Sequence, residues 1–301
     1  MSEAASAAHR PLCAASARMR GDAMAGSAPI TRRWLLIEHP GPWRHDALGG
    51  MGLPATVLDG VVRAVRTHDA RVLLVRRPGR RASCASRAWG VLDQSSGRAR
   101  WGRWSAPEDL LAAAAALGEA PDAAATGEPV LLVCTHGRHD TCCAVFGRPV
   151  AATLGERWPE QTWECSHLGG DRFAANLLIA PDGYYYGQLD AETAVDVVAG
   201  HLRGEVDPRF LRGSTGVPPV MQAALVAAYE RYRPAPARAI WAEELEMLAP
   251  DRWAVRLAAA PPLPARIDVV MVRTRQSPAL LTCGAQAASS AMVFTAEQVR
   301  A

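Results

Sequence analysis

Residues 129–143 read PVLLVCTHGRHDTCC. Val130 to Val133 form a short aliphatic run of the kind found in strands buried on both faces. The run ends on a thiol at Cys134. A polar loop with His136, Gly137 and His139 follows, and then two adjacent thiols, Cys142 and Cys143, ahead of a helical stretch GRPVAATLGERW (147–158). A second strand, TWECSH (162–167), contributes Cys165 and His167, two positions apart and so expected on one face. Next, NLLIAPDGYYYGQL (176–189) reads as a hairpin turning at Pro181-Asp182-Gly183. DAETAVDVVAGHLRGE (190–205) reads as a helix capped by Asp190, with Gly204 just past its end.

The same order occurs once before. RRWLLIE (32–38) is strand-like, TVLDGVVRAVRTHD (56–69) helical, and RVLLVRR (71–77), AWGVLDQ (88–94) and RARWGRW (98–104) strand-like. SAPEDLLAAAAAL then opens a helix, with Ser105 or Ala106 near its cap and Pro107 at an early position. A β-α-β crossover, an antiparallel hairpin and a closing helix make the thioredoxin-like order. The expected fold class is therefore α/β: two tandem thioredoxin-like units, 29–118 and 128–213, followed by a small α+β section over 214–301. In that section VPPVMQAALVAAYERY (217–232) reads as an amphipathic helix, and WAVRLA, RIDVVMVRT and ALLTCG as strands of a small antiparallel sheet. Residues 1–28, rich in alanine, serine and arginine without a continuous apolar run, read as a disordered tail.

Composition removes several function classes. All 33 basic residues are arginine, which excludes a P-loop lysine, a Schiff-base lysine and a Ser-Lys dyad. A net charge of +3 argues against a dedicated nucleic-acid surface, and the basic turn Arg76, Arg77, Arg80, Arg81 reads as solvated. No stretch has the ~20 apolar residues that span a bilayer. The expected compartment is the cytoplasm, where clustered cysteines more often bind metal or react than form disulfides.

Cys134, Cys142, Cys143, Cys165 and His167 all fall in the second unit, at the carboxyl ends of its two central strands. Thiolate and imidazole converging on one sheet edge suit iron or zinc. Gly169 and Gly170 follow His167, and their lack of a side chain would let the backbone approach a bulky cofactor and offer it N–H donors. Asp171 is either a further ligand or an acceptor for the imidazole. Cys13, Cys84 and Cys283 read as structural or incidental, and His136 and His139 as solvated loop histidines, with hydrogen-bond donors or alternative ligands their less common roles. The first unit offers no ligand set, although Trp43, between His39 and His45, faces either the second unit or a partner, with packing its plainer role.

CTHGRHDTCC, GRPVAA and WECSHLGGDRFAANLL, with RRWLLIEHPGPW upstream, together resemble the sucrase/ferredoxin-like family over most of residues 30–215. The resemblance implies a thioredoxin-like ferredoxin carrying a [2Fe-2S] cluster. It implies a cysteine pair with eight residues between, here Cys134 and Cys143, and two histidines spaced H-x-x-x-H, here His167 and, in place of the second, Asp171. Aspartate is a hard oxygen donor and Cys165 a soft one, so the expected shell is Cys134, Cys143, Cys165 and His167, with Asp171 behind it. The implied function is a one-electron carrier, working with reductase or acceptor proteins, whose mixed ligation raises its potential above that of all-cysteine clusters. A thiol oxidoreductase is the alternative, but it lacks a C-x-x-C motif, and a vicinal Cys142–Cys143 disulfide would be strained. A non-catalytic redox sensor is another. Glycoside hydrolysis would need a matched carboxylate pair, and Asp171, Asp182 and Glu164 show no such spacing.

Overall fold

The computed structural model describes residues 11–79, 86–119 and 127–301; Arg80, Arg81 and Cys84 lie outside them. Helix α1 (Cys13–Arg20) precedes β1 (Arg33–Glu38), α2 (Ala55–Thr67), β2 (Ala70–Arg76), β3 (Arg87–Asp93), β4 (Arg98–Trp104) and α3 (Leu110–Ala115). The order then repeats as β5 (Val130–Cys134), α4 (Thr141–Arg157), β6 (Thr162–Cys165), β7 (Leu177–Ala180), β8 (Tyr184–Tyr186) and α5 (Ala191–Leu202). The chain continues through β9 (Leu211–Ser214), α6 (Pro219–Arg231), β10 (Ile240–Ala249), β11 (Arg252–Ala259), β12 (Arg266–Arg275) and β13 (Met292–Arg300).

The pairing repeats as well as the order. β1 pairs parallel with β2 and antiparallel with β3, which pairs with β4; β5 pairs parallel with β6 and antiparallel with β7, which pairs with β8. The two halves meet where β2 and β6 pair antiparallel through Val75 with Cys165 and Arg76 with Glu164, giving one nine-stranded sheet in the order β4-β3-β1-β2-β6-β5-β7-β8-β9. Two register pairs are a short seam, and side chains reinforce it. Arg76 forms a 2.7 Å ion pair with Glu164, Arg77 lies over the Trp163 ring at 3.6 Å, and Ser166 exchanges hydrogen bonds with Leu74 through both its N–H and its hydroxyl.

Three expectations about where the elements lie need correction. Residues 11–28 are not a disordered tail, because α1 buries Cys13, Ala14 and Ala17 on one face and ends on Gly21 at φ 66°. Small residues at that spacing make a close-packing stripe that carries no apolar signal in sequence. Second, α4 begins at Thr141, not 147: the Asp140 carboxylate caps it by accepting the Cys142 N–H at 2.8 Å, so both adjacent cysteines sit in the first helical turn. Third, ALLTCG is not a strand. The small sheet, ordered β10-β11-β12-β13, takes its edges from IWAEELEMLA and MVFTAEQVR, whose largely exposed side chains hide them from a search for apolar runs. Residues 279–284 lie instead in the β12–β13 connection, where Ala279 and Ser289 make an isolated bridge.

Helix α6 buries Val220, Gln222 to Val226, Ala228 and Tyr229, most of its surface, which is the pattern of a helix enclosed in a core rather than of an amphipathic surface helix. Its residues share one apolar cluster with α4, α5, strands β5, β7 and β8 and the inner face of β11–β12, so the C-terminal sheet is packed onto the second half.

Two buried polar groups hold connections that apolar packing alone would leave loose. Arg212 on β9 is 1 % exposed, donating to Gly169 O and Asn176 Oδ1 at 2.8 Å, Ser27 O at 2.6 Å and Ser27 Oγ at 3.1 Å. At the β7–β8 turn, His201 Nε2 lies 3.1 Å from Asp182 Oδ2 while its Nδ1 accepts the Tyr186 hydroxyl at 3.0 Å, and Arg238 also pairs with Asp182. Burial would raise the Asp182 pKa, but His201 and Arg238 outweigh it and hold the carboxyl below its ordinary 3.8.

Removing the guanidinium strands several buried acceptors, each worth about 1–3 kcal/mol when left unpaired. Arg212→Met should therefore lower stability by about 3 kcal/mol or more, read as a drop in the urea midpoint. A depressed carboxyl pKa contributes stability that is complete above the unfolded value of 3.8 and fades as pH falls through the lower folded value. Asp182→Asn should thus be less stable than wild type at about pH 6, with the gap narrowing at about pH 3, as equilibrium unfolding at the two pH values would show.

Candidate metal centre

Strand β5 carries Cys134 to the carboxyl end of the sheet's central strands, the Asp140 cap turns the chain into α4 with Cys143 on its first turn, and the loop after β6 returns His167 to the same place. The donor atoms of Cys134, Cys143 and His167 all lie within 4.8 Å of one another. A second trio, His139, His167 and Asp171, meets the same criterion and shares the His167 ring. Asp171, in the short turn Asp171–Phe173, puts Oδ1 3.1 Å from His167 Nδ1 and 3.3 Å from the Cys143 sulfur. The imidazole contact is off the ring N–H line, so it acts as a charge contact rather than an aligned hydrogen bond.

The thiols divide one proton between them. Cys143 donates to Cys134, and this, opposed by burial and helped by His167 and the N–H groups of His136 and Leu168, holds Cys134 far below the usual thiol range. Cys143, beside that thiolate, buried and near Asp171, is pushed up. Burial tends to lower His167, but Asp171 and Cys134 overcome it and raise the imidazole to about 9. For Asp171, burial acts upward, and the neighbouring His167 brings the carboxyl down. His139 is lowered by burial and by His167.

Of the expected shell, Cys134, Cys143 and His167 come together, and Cys165 does not join them. Strand β6 stops at Cys165, Ser166 bonds to β2, and the alternation that would align residues 165 and 167 ends there. Cys165 sits fully buried in the apolar cluster of Trp34, Leu73 and Tyr185, where burial raises its pKa. Gly169 and Gly170 take φ 92° and 79°, and a Cβ on Gly170 would fall 2.4 Å from Arg212. Turn geometry and that close approach account for these glycines.

Sequence reasoning gave His139 only a secondary role, as an alternative ligand in a solvated loop. Its ring stacks on His167 with centroids 3.6 Å apart, and on its other side His45 stacks at 4.8 Å. His45 is exposed and comes from the first half, so that half does reach the site. Trp43 packs as expected, 5 % exposed, donating to His39 O, edge-on to His136 and under the Arg76 guanidinium. Cys142 leaves its neighbour: its sulfur lies 3.4 Å from that of Cys13 and 3.3 Å from that of Cys283. The three acids considered for hydrolysis are dispersed, Asp171 on His167, Asp182 on His201 and Glu164 on Arg76 and Thr135. All six described cysteines are free thiols, and among the described residues no helix is long and apolar enough to cross a membrane.

No curated protein and no solved structure matches the chain. The sucrase/ferredoxin-like family model matches residues 24–213, more than half of the sequence and the whole of the Cys134–Cys143–His167 centre. The chain belongs to the sucrase/ferredoxin-like family.

Proposed function

We propose that this protein is a cytoplasmic one-electron carrier whose second half is a thioredoxin-like unit holding a [2Fe-2S] cluster, with the first half a degenerate copy of the same unit. The observation that carries this reading is the convergence of Cys134, Cys143 and His167 within 4.8 Å at the carboxyl ends of two central strands. The donor set fits such a cluster: two sulfurs, one already favoured as thiolate, and an imidazole, largely out of solvent. Cys134, Cys143 and His167 would hold the cluster, with the fourth donor coming from His139 or Asp171 in place of Cys165. Once bound, the cluster would supply reversible one-electron storage.

The chain's own groups have distinct parts in this reading. Asp171, beside Nδ1 of His167, orients the ring and leaves the other nitrogen for the metal. The N–H groups of His136 and Leu168 aim at the Cys134 sulfur, which stabilises negative charge there. His139 and His45 form a stacked ring path from His167 to solvent, flanked by exposed Arg44 and Arg138, so the redox partner would present an acidic face. Dithiol exchange is the competing reading, because the Cys134 thiolate touches the Cys143 thiol.

Protein purified without oxygen should be brown, hold about two irons and two sulfides per chain, and give a rhombic EPR signal only on reduction. A folded, colourless, iron-free protein whose Cys134 and Cys143 cycle with a disulfide reductant would overturn the proposal in favour of dithiol chemistry. Cys134→Ser and His167→Ala should abolish or shift the signal, whereas Cys165→Ser should leave it unchanged. The reduction potential should lie above the roughly −400 mV of plant-type ferredoxins and fall with rising pH; a potential flat in pH would count against imidazole ligation.

A further inference from the structure

The adjacent cysteines of α4 serve different neighbourhoods. Cys143 faces the centre described above, whereas Cys142 meets two thiols from the far ends of the chain, Cys13 of α1 and Cys283 of the β12–β13 connection. Asp140 completes the group: both its oxygens lie 3.8 Å from the Cys13 sulfur, Oδ1 accepts the Cys142 N–H at 2.8 Å, and Oδ2 accepts the Cys283 N–H at 2.7 Å. One ligand atom from each of the four residues lies within 4.8 Å of all the others.

We propose that Cys13, Asp140, Cys142 and Cys283 form a second metal site that takes a thiophilic divalent ion, zinc, in a closed structural role. The geometry argues for an ion over the alternatives. Sulfurs 3.3–3.4 Å apart are not disulfide-bonded, and one disulfide would leave the third thiol and the carboxylate unused. Four donors around zinc at ~2.3 Å per sulfur stand about 3.8 Å apart along the edges of a tetrahedron, close to the separations of 3.3–3.8 Å seen here. Three sulfurs favour a soft cation over magnesium or calcium. Cys13, Asp140 and Cys142 are at most 3 % exposed, leaving little room for the open position of a catalytic zinc.

The surroundings suit a thiolate cage. The Ala14 N–H points at the Cys142 sulfur at 3.4 Å, and Asp140 is itself held by two backbone N–H groups. Arg20 and Arg172 lie near enough for their charges to act on Cys13, and the N-terminus of α4 adds positive potential at Cys142. Binding would release the thiol protons to solvent as the ion enters, with no change in oxidation state. Cys13 and Cys283 both fall outside the family-matched residues 24–213, so the site would be this chain's own clasp, fastening both flanks onto the family core. The β12–β13 connection, with one isolated bridge of its own, is the kind of long loop that needs an anchor. This inference does not depend on what the Cys134 centre holds.

The test is metal analysis of the full chain purified anaerobically from zinc-supplemented medium without chelators, alongside Cys13→Ser, Cys283→Ser and, as control for the other centre, Cys134→Ser. Wild type and Cys134→Ser should carry about one zinc per chain. Cys283→Ser, at the half-exposed position, should lose it while keeping the wild-type circular dichroism, and cobalt-exchanged wild type should show thiolate-to-cobalt charge-transfer bands that this variant lacks. A chelator should lower the melting temperature of wild type but not of Cys283→Ser. Zinc-free wild type that binds no cobalt, zinc kept in Cys283→Ser but lost in Cys134→Ser, or a disulfide among Cys13, Cys142 and Cys283 in the anaerobic sample would each overturn the proposal.

Discussion

A single buried guanidinium decides how the pieces around the Cys134–Cys143–His167 cluster can be arranged. Arg212 comes from an edge strand beyond the second repeat, yet it holds the Gly169 carbonyl of the loop that carries His167, the Asn176 side chain at the entry to β7, and Ser27 of the N-terminal segment. Burial drives its pKa down to about 10, still well above neutrality, so the charge stays in the core and must be met by oxygen atoms. Those oxygens cannot move without exposing it. The loop after β6, the start of the family-matched region and the sheet edge are therefore locked as one unit, and the Gly170 position has no room for a Cβ.

The seam between the halves acts in the same direction. Merging a four-stranded and a five-stranded array through two register pairs would be weak if it depended on ladder hydrogen bonds alone. Glu164 answers Arg76 across the seam and also accepts the Thr135 hydroxyl just after Cys134, so the joint between the halves is tied to the residue next to the clustered Cys134 thiol. From the other side, His45 of the first half closes over His139. Among the described residues the first half adds no donor to the Cys134–Cys143–His167 cluster, and what it contributes is the His45 ring stacked on His139.

How much of this was legible follows from which signals are local. Strands such as RRWLLIE and PVLLVCT announce themselves by apolar runs, and α5 by its Asp190 cap, so the repeated order could be read in both halves. Cys134, Cys143 and His167 were recoverable because strand ends and helix starts place them. Cys165 misled because a period of two holds only while the strand lasts, and β6 ends at that residue. Helix α1 and the edge strands β10 and β13 were missed for opposite reasons: the first packs with alanines that look like a tail, and the others expose side chains that look like a surface. The stacking of His139 on His167 leaves no sequence trace, since it is a contact between two loops. Nor do Cys13 and Cys283, which lie 129 and 141 positions from Cys142.

The first turn of α4 explains why two thiol clusters can sit side by side without merging. Successive helical residues point about 100° apart, so adjacent cysteines there cannot share one site, whereas on a strand they would face opposite sides of the sheet. Asp140 sets the phase of that turn. Its capping bond to the Cys142 N–H fixes where the helix starts, and its other oxygen, on the Cys283 N–H, fixes where the C-terminal loop lies. A slip of one residue in the helix start would rotate Cys143 off Cys134 and Cys142 off Cys13 together. The two clusters are thus coupled through one cap, and a group that steadies Cys142 also steadies the helix turn that presents Cys143 to the centre.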